Sequence, residues 1–200
     1  MKVLLLVAGL FWIHLAIAQT SKIRWTASRV LQLSDFQILA KGEKEPARLE
    51  QNMSVTRTGF VYTMRRIGSG KNKGKTLVSV YAHMDPSNSY LAHKVLKESA
   101  SNIAYLLNHE QRHFDISEIY ARELSRYLKT QSLRRIATAK ITEAGRRLFA
   151  ELDAFQRWYD IETDHGRNQD KQEEWNRIIA QRLKALSPYA RKEYLLTITP

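Results

Sequence analysis

The chain has 200 residues, 44% of them apolar and 26% charged, the proportions of a folded globular protein, and its length suits one domain. It has no cysteine, which excludes disulfides, thiolate metal sites and a cysteine nucleophile, so any metal must be held by His, Asp or Glu. The formal charge of +12 favours acidic surroundings such as nucleic acid, anionic lipid or acidic polysaccharide, but no recognised nucleic-acid module accompanies it.

The first eighteen residues, "MKVLLLVAGLFWIHLAIA", have one lysine, an apolar run and a small-x-small ending, Ala16-Ile17-Ala18. This is the pattern of a secretory signal peptide. The run Val3–Leu15 is shorter than a membrane span requires. The expectation is a signal peptide over residues 1–18 and one domain over 19–200. That domain would be exported to a periplasm or the exterior, not transmembrane after cleavage, with a side-chain charge of 12 − 1 = +11 once Lys2 is removed. Export without cysteine fits a bacterial compartment.

A short strand and an ordered loop are predicted over "KIRWTASRVLQLSDFQILA", then a polar loop in "GEKEPARLEQNM". The stretches "SVTRTGFVYTMRRIG" and "TLVSVYAHMD" alternate Val, Thr, Tyr and Phe around the Gly/Asn/Lys turn "SGKNKGK", a hairpin signal that Asp85-Pro86 terminates. Helical spacing follows. Ile103, Leu106, Leu107, Phe114, Ile119 and Leu124 predict a first helix to about Tyr127. Ile141, Ala144, Leu148, Leu152, Phe155 and Tyr159 predict a second, with Thr142 as its cap and Gly166 as its breaker. Trp175, Ile178, Ile179 and Leu183 predict a third over Asp170–Leu186. The fold class is α+β: a β-rich first half, then three helices. The basic residues Arg65, Arg66, Lys71, Lys73, Lys75, Arg134, Arg135, Arg146, Arg147, Arg191 and Lys192 read as a scattered, solvated surface. They leave acidic envelope polymers as candidate partners and no specific nucleic acid.

The chemistry concentrates in "LLNHEQRHFDISE". On a helix, His109 and His113 project one turn apart from one face and can chelate a single zinc ion. Glu110, rotated about 100° from His109, is unsuited as a ligand but able to take a proton from a water at the metal. A catalytic zinc takes three protein ligands. Asp115 points away and Glu118 is more than a turn on, so His165, at a predicted helix end, is the candidate third ligand. Glu162 is the alternative, and Asp160 or Asp164 could accept an imidazole N–H. Tyr120 or Tyr159 could stabilise an oxyanion. Trp25, Trp158 and Trp175 read as core, and His83 and His93 as ordinary hydrogen-bonding groups.

The run "YLLNHEQRHFDISEIYAREL" resembles a family of exported bacterial proteins, domain of unknown function 922, identified as predicted zinc-dependent proteases. The resemblance extends to "IRWTASRVLQLSDFQ", "TGFVYT", "VYAHMDPSNSYL" and "YDIETDHGRNQDKQEEWNRII", from about Ile23 to Ile179. It implies a zincin-like fold, one zinc, His109 and His113 as ligands, Glu110 as general base, and His165 through the "Y-D-x-x-T-x-H-G" pattern. Arg112 departs from it, standing where that family often has glycine. The function expected is hydrolysis of peptide bonds in a protein or peptide substrate. The alternatives are a zinc-dependent cell-wall (peptidoglycan) amidase and a non-catalytic basic protein that binds envelope polyanions.

Overall fold

The computed structural model describes residues 22–39 and 53–199; the expected signal peptide and the polar stretch 42–52 lie outside them. In chain order the elements are β1 (Ile23–Arg24), β2 (Gln37–Ile38), β3 (Ser54–Val55), β4 (Thr58–Arg66), β5 (Thr76–Met84), β6 (Tyr90–Leu91), α1 (Ala100–Gln131), β7 (Arg135–Ala137), α2 (Thr138–Glu162), α3 (Gln169–Ala185) and β8 (Glu193–Thr199), with short 3-10 turns between some of them. The class is mixed α+β, with two small sheets and three helices.

Strands β4 and β5 pair antiparallel over nine positions, from Thr58↔Met84 to Arg66↔Thr76. Gly70 and Gly74 supply the left-handed backbone of the turn, at φ 73° and 84°. The predicted alternation holds: Val78, Val80 and Ala82 are buried, with Leu77, Ser79 and Tyr81 less so. The β5 strand is the hub of the larger sheet, also pairing with β1 at Met84 and His83 and with β8 at Thr76–Ser79. β7 then joins β8 in parallel. In the smaller sheet β6 lies between β2 and β3.

The three helices correct the sequence reading in detail. α1 begins at Ala100, capped by the Ser99 hydroxyl, which accepts from the Asn102 N–H, and runs to Gln131. Phe114, Ile116, Ile119, Leu124 and Leu128 of α1 join Phe60, Val78, Val80 and Ala82 of the sheet in one buried core. Thr142 is not a cap. α2 begins at Thr138, directly after β7, and the Thr142 hydroxyl donates back to the Thr138 carbonyl inside the first turn. Nor is the order strands first and helices last, because β8 returns after α3 to enter the sheet between β5 and β7.

The segment before the helices is tied to α1 by polar contacts. Trp25 Nε1 donates to Asp115 Oδ1 at 2.8 Å, and the Leu31 N–H donates to Gln111 Oε1 at 2.9 Å. Gln111 Nε2 in turn donates to Asp115 Oδ1 at 3.0 Å. Gln111, between the two histidines, and Asp115, just after them, therefore serve the architecture.

Candidate metal centre

α1 and α2 pack antiparallel, with His113 beside Gln156 and His109 beside Tyr159 and Asp160. His109 Nε2 lies 3.3 Å and His113 Nε2 2.9 Å from the same oxygen, Asp160 Oδ1. The ligand atoms of these three residues all lie within 4.8 Å of one another. Both histidines are buried, and Asp160 is partly open to solvent.

Each ring is held from behind. His109 Nδ1 is 2.9 Å from Gln172 Oε1, which also accepts the Tyr159 hydroxyl, while Gln172 Nε2 donates to Asn176. His113 Nδ1 is 2.7 Å from Gln156 Oε1, while Gln156 Nε2 donates to Thr58 and Ser117. An amide oxygen facing Nδ1 makes that nitrogen the N–H, so each Nε2 turns a lone pair toward Asp160. Tyr159 stacks on the His109 ring, with centroids 4.8 Å apart, and its buried hydroxyl is spent on Gln172 and the His109 carbonyl. Burial pushes that phenol well above its ordinary range.

Three electron-pair donors converging on one point repel unless a cation lies among them. Burial disfavours the charged His113 ring, but Asp160, Glu110 and Gln156 outweigh it and raise its pKa to about 9. Burial works against the Asp160 carboxylate too, yet His113 and His109 hold its pKa well below the usual range. The donor set also fits a metal. Ligands around a tetrahedral zinc at about 2.0–2.1 Å stand roughly 3.3 Å apart, close to the nitrogen–oxygen separations here.

Glu110 is buried one residue from His109, and both its oxygens accept hydrogen bonds, Oε1 from the Ser54 hydroxyl and Oε2 from the Thr56 hydroxyl. Ser54 and Thr56 escaped the sequence reading, although two hydroxyls two residues apart on an extended chain share one face. Gln156 and Gln172 escaped it as well. Gln156 and Asp160 repeat on α2 the i, i+4 spacing of the histidines on α1, a signal that could have found them.

The other expected residues fall elsewhere. His165 stands at the rim, its Nδ1 4.0 Å from Asp160 Oδ1 and its side chain 42% exposed. Glu162 accepts from the indole nitrogens of Trp158 and Trp175, away from the histidines. Asp164 is exposed and pairs with Arg167. Tyr120 lies two turns beyond His113, against Phe155 and the Arg182 guanidinium. Arg112 pairs with Asp115 at 2.9 Å.

The turn after α2 is built around His109. Asp164, His165 and Gly166 all have left-handed backbone, at φ 49°, 53° and 82°. A Cβ on Gly166 would sit 3.0–3.2 Å from His109 ring and Cβ atoms, so both conformation and space demand glycine. A cavity of about 490 Å³ opens beside His109 and Gly166, walled by Val95, Ile103 and Leu106 together with Lys94, Glu98 and Arg167.

A family described as "Bacterial protein of unknown function (DUF922)" matches residues 41–166. That span holds the hairpin, both histidines, Glu110, Asp160 and His165, but neither the segment around Trp25 nor α3. No curated protein and no solved structure matches the chain. No helix among the described residues is long and apolar enough to cross a membrane.

Proposed function

The chain belongs to this bacterial family, whose function is unknown, and from that premise we propose that it is an exported zinc-dependent metallopeptidase with a zincin-like site. One observation carries the reading: two imidazoles, each anchored through Nδ1 by a glutamine oxygen, aim Nε2 at a shared carboxylate oxygen. His109, His113 and Asp160 hold the metal, with His165 at its edge. A zinc ion there supplies charge and a water acidified towards neutral pH. Glu110, oriented by the Ser54 and Thr56 hydroxyls, would accept the proton of the attacking water. Gln156 and Gln172 fix the tautomers, and Tyr159 braces the His109 ring from behind instead of facing the substrate. The cavity beside His109, with apolar and charged walls, takes a side chain of a protein or peptide substrate.

Metal analysis of the purified chain tests this. About one zinc per chain is expected, together with hydrolysis of an unfolded protein such as casein. Glu110→Gln should keep the metal and lower turnover by about 10²–10⁴-fold. A chain without bound metal would overturn the reading. Iron in place of zinc, which two histidines and one carboxylate also suit, would redirect it to redox chemistry.

A further inference from the structure

Most of the basic residues that look scattered along the chain are gathered by the fold at one end. The β4–β5 turn, the turn from α1 to β7 and the start of β8 meet there, and Ile67, Lys129, Ser132 and Arg191 line one hollow of about 640 Å³. This end carries nine exposed cations: Arg65, Arg66, Lys71, Lys73, Lys75, Lys129, Arg134, Arg135 and Arg191. None of them forms an ion pair with a carboxylate among the described residues. Lys192, in the same stretch, is committed to Glu118 instead. The three stretches 65–75, 129–135 and 191–196 contain a single carboxylate, Glu193. Large apolar side chains stand among the cations: Leu133, 96% exposed at the tip of its turn and followed by Arg134 and Arg135, with Met64 and Leu195 also exposed.

This end is remote from the metal centre. Thr58, whose hydroxyl donates to the His113 carbonyl, begins β4, and Arg66 ends it, about 26 Å along the strand. His113 and Lys129 are separated by about 24 Å of α1.

We propose that this basic end docks the protein on an anionic lipid surface, with the cations at the headgroups and Leu133 entering the interface. Charge alone would suit any polyanion, but a soluble polymer has no use for an apolar side chain held out in water beside two arginines. A bilayer interface rewards both. Docked this way, the molecule holds its metal centre away from the membrane.

Flotation with vesicles of phosphatidylcholine alone, or with phosphatidylglycerol added, tests the proposal. The 200-residue chain and the chain lacking residues 1–18 are both used, which separates the leading apolar stretch from the basic end. Both forms should bind only the anionic vesicles, and salt should weaken the binding. Lys71→Glu with Lys73→Glu should lower the partition coefficient at least tenfold, whereas Arg157→Glu with Arg177→Glu, the same charge change elsewhere, should lower it far less. Leu133→Asn should cost about tenfold at constant charge. Circular dichroism checks that each variant is folded. Binding that requires residues 1–18, equal loss in the two double variants, or parental binding by Leu133→Asn would overturn the proposal. So would retention of polyphosphate without any binding to vesicles.

Discussion

Two buried polar clusters on α1, little more than a turn apart, solve the problem of burying charge in opposite ways. At Glu118 the carboxylate is saturated by cations: Arg122 Nε donates to Oε1 at 2.9 Å, and Lys192 donates to Oε1 and Oε2 at 2.9 and 2.7 Å. Both cations also lie over the Trp25 ring, at 5.2 and 5.7 Å. At His109, His113 and Asp160 the donors face one another, with both imidazole Nε2 atoms on one carboxylate oxygen. A saturated cluster needs nothing more and reads as architecture. A convergent one could hold a metal ion. Sequence spacing could not separate the two, since both pairs, His109/His113 and Glu118/Arg122, are four residues apart.

The contrast breaks most sharply on metal content. Asp160→Asn and His113→Ala should each bring bound zinc to near background by elemental analysis, while His165→Ala should retain most of it. If His165→Ala loses as much zinc as Asp160→Asn, the rim histidine is a ligand in its own right. Glu118→Gln should do the reverse, keeping zinc but destabilising the fold by about 3–5 kcal/mol, because it strands the buried Arg122 and the half-buried Lys192. Thermal unfolding should register that as a fall on the order of 10 °C.

A smaller effect is expected at the turn behind His109. Gly166→Ala puts a Cβ against the ring in a left-handed backbone, so a stability loss of about 1–2 kcal/mol should accompany zinc binding weakened by about tenfold. A competitive chelator titration measures the second quantity, and unchanged affinity would mean that the turn does not brace the ligand.

The smallest effect concerns a histidine outside both clusters. His83 is buried beside Lys22, whose Nζ is 3.2 Å from its Nε2; burial first, and then the Lys22 charge, lower its pKa to about 4. The folded chain therefore keeps this ring neutral while the unfolded chain protonates it below about 6.5. Its contribution to stability is present above that value and lost as pH falls towards 4. Denaturation midpoints between pH 7 and 4 should decline less steeply in His83→Gln than in the parent.

What the sequence made legible was local. The hairpin followed from alternation around a glycine-rich turn, and the histidine pair from a helical period of 3.6. Ser54 and Thr56 reach Glu110 across more than fifty residues, and no period links them. Asp160 was within reach as an acceptor, but only the antiparallel packing of α1 and α2 aligns its carboxylate with both Nε2 atoms. Leu133, Lys73 and Arg191 look unrelated along the chain because strand pairing brings them to one end. Thr142 misled as a cap because β7 leads directly into α2, so the helix begins a turn earlier.

The placement of β8 also has a kinetic side. The β4–β5 hairpin can close within microseconds, since its strands are neighbours in sequence. β8 must find β5 from across the chain; the Ser79 to Glu193 contact alone spans 114 residues. Contacts of that separation form late and slow the final step of folding. Until β8 arrives, the Thr76–Ser79 edge of β5 is unpaired and Glu118 lacks Lys192. An open edge of this kind is a template for pairing with other chains, so the last strand to dock also closes the molecule against aggregation.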